Sequence, residues 1–304
     1  MSTFRLKVRS LQVGDRVIRV AEGGKGPALL MLHGGGPGAT GIANFSRNVP
    51  ALAEHFRVIV PDLPGYGGST KRIDRADPFG DLAGAMLDLL DVLKIERAHV
   101  LGNSLGGACA LRMALERPEP IDRLVLLGPG GIDTTRKGPT EGLKHLLGYY
   151  LGDGPTRGKL ATFIREYLVF DGDAIGEEII DERFASSVNP ETIANPPLLP
   201  PKDLSSAYLL DLTRDRRLPK LQNPTLVLWG TEDRVNRPSG GRSLQSRLPN
   251  CDLYLFSRTG HWVQWERAAE FNAAAIAFLS RNARLPDHTF ANQNSGGYHA
   301  HDIQ

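Results

Sequence analysis

Short runs of β-branched and aliphatic residues recur along the chain, at 17–20, 28–32, 58–60, 99–101, 124–127, 225–229 and 253–256. The middle runs are apolar at every position, the pattern of strands covered on both faces of a parallel sheet. Between them lie helical patterns. The clearest places Phe79, Leu82, Met86, Leu89, Leu90 and Leu93 on one stripe. Asp77 and Pro78 precede it as a cap and a first-turn proline. Strand–helix alternation of this kind predicts an α/β fold with right-handed crossovers.

The alternation stops after Gly131. Residues 132–217 hold helical segments at 143–151, 163–170 and 176–188 but no convincing strand, then prolines at 190, 196, 197, 200 and 201. The strand pattern resumes at Thr225. This stretch is either a longer helical part of one domain or an inserted helical lid. Sheet pattern on both sides favours the lid, with the core divided into 1–131 and 218–285. The tail, 286–304, lacks periodicity. His288, His299, His301 and Asp302 admit metal binding there, but a disordered tail is the commoner meaning of such a segment. No internal repeat is visible.

Composition adds mainly exclusions. Among 304 residues, 36 are basic and 34 acidic, for a net charge of +2. No global field favours nucleic acid or an anionic membrane. Two cysteines, Cys109 and Cys251, make neither a disulfide framework nor a zinc motif. The first twenty residues alternate charged and apolar positions without a secretory h-region, and no run reaches the ~18 apolar residues of a membrane span. A cytoplasmic location is expected.

The chemistry-bearing residues follow strand ends. Gly102-Asn103-Ser104-Leu105-Gly106 lies after the 99–101 run and before a helix-like run, 107–116. This is G-x-S-x-G in the strand–turn–helix context that exposes a serine nucleophile. The glycines leave room for a tight, strained turn. The Leu105 N–H, at the helix start, can favour a developing oxyanion. A turn serine that merely caps a helix is the plainer alternative. A nucleophilic serine needs a base, and the base an orienting acid. Asp233 follows the 225–229 strand and His261 the 253–256 strand, and the order Ser, Asp, His is that of the α/β-hydrolase fold. Glu232 competes for the acid role. His33-Gly34-Gly35-Gly36-Pro37-Gly38 follows the 28–32 strand, and Gly35 is the expected second oxyanion donor.

A rival pattern overlaps that loop. Gly36-Pro37-Gly38-Ala39-Thr40-Gly41 reads G-x-G-x-x-G, with Asp62 about 20 residues on, the form of an NAD fingerprint. Pro37 offers no N–H to a pyrophosphate, and Gly34-Gly35 separates the motif from the strand end. In the helical stretch, Arg183 falls on the apolar stripe set by Ile175, Ile179 and Ile180, with no carboxylate at helical spacing. Either its head snorkels to water or it awaits an anion in a cleft. Asn44, as a possible cap for the helix after the glycine loop, Asn103 and Trp262 stand next to these elements.

Taken together, HGGGPGA at 33–39, GNSLGG at 102–107, LGPGG at 127–131 and GHW at 260–262 resemble the meta-cleavage product hydrolases, carbon–carbon bond hydrolases of aromatic and steroid ring degradation. The resemblance runs from about Val13 to Ser280. It implies an α/β-hydrolase fold and a 2-hydroxy-6-oxo-hexa-2,4-dienoate substrate with a variable C6 group. It assigns Ser104, Asp233 and His261 as triad and Gly35 and Leu105 as oxyanion donors. Arg183, Asn103, Asn44, Trp262 and Gly34 would hold the carboxylate and dienol end. No metal or organic cofactor is implied, and a homo-oligomer rests on the resemblance alone. The alternatives are an ester or lactone hydrolase with the same triad, an NAD-binding oxidoreductase and a non-catalytic binding protein. The C6 substituent stays open. Leu146, Tyr149, Tyr150, Phe163, Tyr167 and Phe170 either line a large apolar pocket or form the core of the helical stretch.

Overall fold

The computed structural model describes residues 5–281. The tail histidines and Asp302 lie outside the described residues. Eight strands form one sheet in the order β1-β2-β4-β3-β5-β6-β7-β8. They are β1 (Lys7–Val13), β2 (Arg16–Gly23), β3 (Ala28–Leu32), β4 (Arg57–Pro61), β5 (Ala98–Asn103), β6 (Ile121–Leu127), β7 (Thr225–Gly230) and β8 (Cys251–Phe256). The β1–β2 and β2–β4 pairs are antiparallel, and every pair from β4–β3 to β7–β8 is parallel. The sequence pattern missed β1. That strand is half exposed along its length, so no apolar run marks it. Its pairing with β2 through the Gly14 turn fixes it instead.

The all-apolar strands send alternate residues to opposite faces. Leu30 and Leu32 pack with α3 (Pro78–Val92) and α4 (Leu105–Glu116), while Leu29 and Met31 pack with α2 (Val49–Ala53) and α12 (Ala268–Leu279). Asp77 caps α3 by accepting from Gly80 N, and Pro78 occupies its first turn. Before α2 stands the single turn α1 (Gly41–Asn44). Its cap is Thr40, whose hydroxyl accepts from Ala43 N at 3.2 Å. Asn44 is therefore the last residue of that turn and not a cap, which frees its side chain.

Among the described residues no strand lies between β6 and β7. The chain there forms α5 (Glu141–Gly148), α6 (Arg157–Thr162), a π-helical turn (Phe163–Leu168), α7 (Glu177–Ser187), α8 (Pro190–Ala194) and α9 (Leu204–Leu209). Ile175 lies ahead of α7, not on it. A separate apolar cluster holds this segment together, with Leu160, Phe163, Ile164, Ile175 and Ile180 buried. It meets Trp262 and Trp265, in and beside α11 (Val263–Glu266), so the segment packs on the strand-end loops. Helix α10 (Ser239–Gln245) covers the β7–β8 edge.

Candidate active site

Ser104 sits between β5 and α4 with φ 53° and ψ −111°, a conformation unfavourable for a residue with a Cβ. The flanking glycines make it possible. A Cβ at Gly102 would lie 2.2 Å from the Gly106 carbonyl oxygen, and one at Gly106 would lie 2.1 Å from that of Leu32. The Ser104 N–H donates to Leu127 O, and its carbonyl accepts from Gly130 N, both at 2.9 Å. The 127–131 loop thus holds the strained residue in place.

Asp233 Oδ1 accepts from the N–H groups of Val235 and Asn236, each at 2.8 Å. That leaves Oδ2 aimed at His261, whose Nδ1 donates to it at 2.7 Å. The free ring nitrogen of His261 is then Nε2. Glu232 is exposed and makes no such contact. The pair needs a glycine beside it: Gly128, at φ 44°, would carry a Cβ 3.1 Å from Asp233 Oδ2 and 3.3 Å from His261 Nδ1. From the helical segment, Leu168 O accepts the N–H of His261 at 2.8 Å and of Trp262 at 3.1 Å. Glu266 ties the same loops, accepting from Phe170 N at 2.7 Å and Gly260 N at 3.0 Å. Burial pushes its carboxyl up from the ordinary value, against the pull of those N–H donors.

The glycine loop is held by its carbonyls. His33 Nε2 accepts from Leu63 N at 2.9 Å, so its Nδ1 carries the proton and donates to Gly34 O at 2.8 Å. Burial lowers the His33 pKa, which keeps the ring neutral in this role. Tyr66 donates to Gly35 O at 3.0 Å, Ala39 N to Gly36 O at 3.0 Å and Arg183 Nε to Pro37 O at 3.0 Å. Among the described residues the N–H groups of Gly35 and Gly36 have no partner. Asp62, the acid of the NAD-like pattern, is buried and spent on the fold. It accepts from Gly41 N and Gly68 N, each at 2.9 Å, and pairs with Arg19.

Arg183 is 8% exposed and lies against the glycine loop. Its head does not snorkel to water. A Cβ at Gly36 would lie 2.3 Å from its Nη2, so only glycine admits the guanidinium there. No carboxylate among the described residues pairs with it. Burial lowers its pKa to about 10, opposed by the nearby hydroxyls of Tyr149, Tyr66 and Tyr150. Its other support is the face of Trp262, 5.7 Å away, itself stacked on Trp265 at 5.3 Å.

These groups share one small cavity, partly open to solvent. The strand-end loops line it with Gly34, Gly35, Gly36, Asn44, Asn103, Ser104, His261 and Trp262, and the helical segment with Leu146, Phe163, Leu168 and Arg183. Asn44 Nδ2 is buried without a hydrogen-bond partner, a donor left for a ligand. Asn103 Nδ2 donates weakly, at 3.4 Å, to Leu127 O. Leu105 stands at the first position of α4, with its side chain against Gly35. Of the aromatic candidates, Phe163 lines the cavity. Tyr149 and Tyr150 instead bond Ser187, Tyr167 stacks on His145, and Phe170 lies under Arg258. The sequence gives no role to His33, Tyr66, Gly128 or Glu266, each of which has a partner distant in the chain. Among the described residues no group of three or more His, Cys, Asp or Glu is placed to hold a metal, and no helix is long and apolar enough to cross a membrane.

A family model described as alpha/beta hydrolase fold matches residues 27–162 and 185–268. The 2-hydroxy-6-oxo-6-phenylhexa-2,4-dienoate hydrolase of Comamonas testosteroni is 38% identical over 280 residues, 90% of this chain and 94% of that protein. The 2-hydroxy-6-oxononadienedioate/2-hydroxy-6-oxononatrienedioate hydrolase of Comamonas testosteroni is 37% identical over 270 residues, 86% of this chain and 91% of that protein. Among solved structures, the meta-cleavage product hydrolase of Pseudomonas fluorescens IP01 aligns with a TM-score of 0.79 at 28% identity, covering 89% of this chain and 97% of that one. The sheet, the serine on its strained turn and these relatives lead to one assignment: the chain belongs to the α/β-hydrolase family and, within it, to the meta-cleavage product hydrolases.

Proposed function

We propose that this protein hydrolyses the C5–C6 bond of a 2-hydroxy-6-oxo-hexa-2,4-dienoate, giving 2-hydroxypenta-2,4-dienoate and a carboxylic acid. The observation that carries the reading is Arg183: a buried cation without a carboxylate partner among the described residues, in the same cavity as Ser104 and His261. An ester of no particular charge gives such a group nothing to do. A dienoate carboxylate satisfies it bidentately and offers oxygens to Asn44 Nδ2 as well.

The residues then fall into roles. Arg183, Asn44, Asn103, Trp262 and Gly34 hold the carboxylate and the C2 oxygen. The proton of the 2-hydroxyl moves to C5, with His261 as carrier, and the dienol becomes a 2,6-diketone. Ser104 Oγ attacks C6 as His261 takes its proton, with Asp233 holding the imidazole in the needed tautomer. The N–H groups of Gly35 and Leu105 stabilise the C6 oxyanion. When the C5–C6 bond breaks, its electron pair is delocalised into the C2 carbonyl, and the resulting dienolate takes the proton held by His261 to leave as the 2-hydroxy product, which returns the imidazole to its basic form. Water, deprotonated by His261, then frees the acid from Ser104. Residues 132–217 act as a lid that supplies Arg183 and the apolar side chains facing the C6 substituent.

The yellow 6-phenyl dienolate is the test substrate, followed by its visible absorbance with wild type, Ser104→Ala and Arg183→Ala, and with p-nitrophenyl acetate in parallel. Bleaching to product by wild type, lost with Ser104→Ala and strongly slowed with Arg183→Ala, is expected. Ester cleavage indifferent to Arg183→Ala, with no wild-type turnover of this or any other 6-substituted dienolate, would leave a serine esterase and sink the carbon–carbon reading.

A further inference from the structure

We infer that Tyr66 is a positioning residue for the oxyanion hole, its hydroxyl fixing the Gly35 carbonyl so that the Gly35 N–H keeps its aim. The inference rests on the donor role proposed for Gly35. Glycine fits there with no side chain displaced: a Cβ would lie 2.5 Å from Leu198 Cδ1 and 3.1 Å from both Leu105 Cδ2 and the Tyr66 hydroxyl. Yet glycine is the residue whose backbone turns most freely, and an oxyanion donor works only when it is held in place beforehand. The stiffness has to come from outside. It comes from hydrogen bonds on the two peptide groups that flank the Gly35 Cα. His33 Nδ1 holds the Gly34 carbonyl, which belongs to the same peptide as the Gly35 N–H, and Tyr66 holds the Gly35 carbonyl on the other side. With both planes fixed, Gly35 has no rotation left.

Tyr66 is built for that task. It is 3% exposed, and its ring meets His33 edge to face with centroids 5.1 Å apart. Its backbone is fastened on both sides, Tyr66 N donating to Leu63 O and Ser69 N to Tyr66 O, both at 3.0 Å. The turn stands between Gly65 and Gly67, at φ 91° and 47°, and the carboxylate of Asp62 binds Gly68 N to close it. Burial raises the phenol pKa, so the group remains a donor throughout the working range. Tyr66 is not among the residues lining the cavity, so its loss should leave ground-state binding alone.

The test compares wild type with Tyr66→Phe in the full chain on the 6-phenyl dienolate and on p-nitrophenyl acetate, and measures inhibition by phenylboronic acid, whose serine adduct places an oxyanion in the hole. Losing an oxyanion donor outright costs about 100- to 1000-fold, so misaiming one should lower kcat about tenfold on both substrates and weaken boronate binding by a similar factor, with KM unchanged. A structural defect elsewhere would not divide the effect in this way. A rise in KM at constant kcat, or unchanged kcat and boronate affinity, overturns the inference. Wild type that spares the dienolate but cleaves the ester defeats the proposed function, while the ester and boronate readings still decide the role of Tyr66. The second variant is 3-fluorotyrosine at position 66, a near-isosteric ring whose phenol is a stronger donor and, in that buried place, keeps its proton at neutral pH. Boronate binding at least as tight as wild type is expected, and weaker binding overturns the inference even if Tyr66→Phe does not fold.

Discussion

Ser104, Asp233, His261 and the glycine loop stand at the carboxyl ends of strands, whereas Arg183, Leu146, Phe163 and Leu168 reach the same cavity from the helical segment between β6 and β7. On the strand-end side, among the described residues, the carboxylate and loop-carbonyl acceptors are held, and donors, Asn44 Nδ2 and the N–H groups of Gly35 and Gly36, stay open. Asp233 makes three hydrogen bonds and each carbonyl from Gly34 to Pro37 has a donor. On the helical side a buried guanidinium has, among the described residues, one backbone acceptor and no counter-charge. One wall is fixed in geometry before any substrate arrives, with neutral donors left open, and the other holds a charge that is costly until an anion meets it. Near the cavity the walls are joined by Leu168 O on His261 and Trp262, Glu266 on Phe170 and Arg183 on Pro37, and farther out by Thr140 on Val235 and Arg234 on Glu166. The division follows the chemistry: bond-breaking groups need fixed geometry, while the binding side needs unsatisfied charge.

The largest effect should come from breaking the fixed wall. Asp233→Asn keeps the shape of the side chain but offers His261 an amide, which favours the wrong tautomer. A loss of about 10⁴-fold in kcat is expected on both dienolate and ester, with the fold intact by circular dichroism. A loss confined to the dienolate would show that Asp233 serves the substrate and not the imidazole.

How far the sequence revealed each wall follows from the range of the interactions. The inner parallel strands were visible because burial on both faces leaves uninterrupted apolar runs, and the serine, aspartate and histidine because each stands within a few residues of a strand end, the histidine after the half-buried β8. Arg183 stood out because a charge on an apolar stripe conflicts locally. Strand β1 was invisible because an edge strand needs no apolar run. Asn44 was misread as a cap because Thr40, four residues earlier, does that work. Tyr66 and Glu266 carried no local sign, and His33 and Gly128 stood in quoted motifs that gave neither of them a role. Tyr66 reaches across 31 residues to Gly35, and Glu266 across 96 to Phe170. The π-helical turn that carries Leu168 to the histidine loop has no periodicity of its own to announce it.

An intermediate effect should come from the helical wall, and of opposite sign for activity and stability. Arg183→Met fills similar space without charge. Losing charge-assisted hydrogen bonds to a substrate carboxylate should cost about 100-fold or more in kcat/KM for the dienolate. Ester turnover should change little. Removing a buried charge that has no counter-ion should also stabilise the fold by about 1 kcal/mol in urea titration. A destabilised Arg183→Met would mean that the single bond to Pro37 and the face of Trp262 already satisfy the guanidinium, and the contrast between the walls would fail.

The smallest effect separates the walls by pH. Burial holds the imidazoles of His33 and His99 below the ordinary value of 6.5, and both belong to the strand side. A base whose pKa falls on folding is neutral in the folded state while the unfolded chain takes up a proton. Stability is therefore full above pH 6.5 and declines as pH falls toward the folded-state pKa. Each such histidine contributes a slope of at most about 1.4 kcal/mol per pH unit within that window. His33→Gln keeps an amide donor for Gly34 O but cannot titrate, so its urea midpoint should drop less than that of wild type between pH 7.5 and pH 5.5. Arg183, whose buried guanidinium is charged throughout that range, contributes no proton uptake of its own there. Equal drops in His33→Gln and wild type would show that the ring beside Gly34 accepts a proton without penalty, and that the glycine loop does not depend on a neutral histidine to hold its carbonyl.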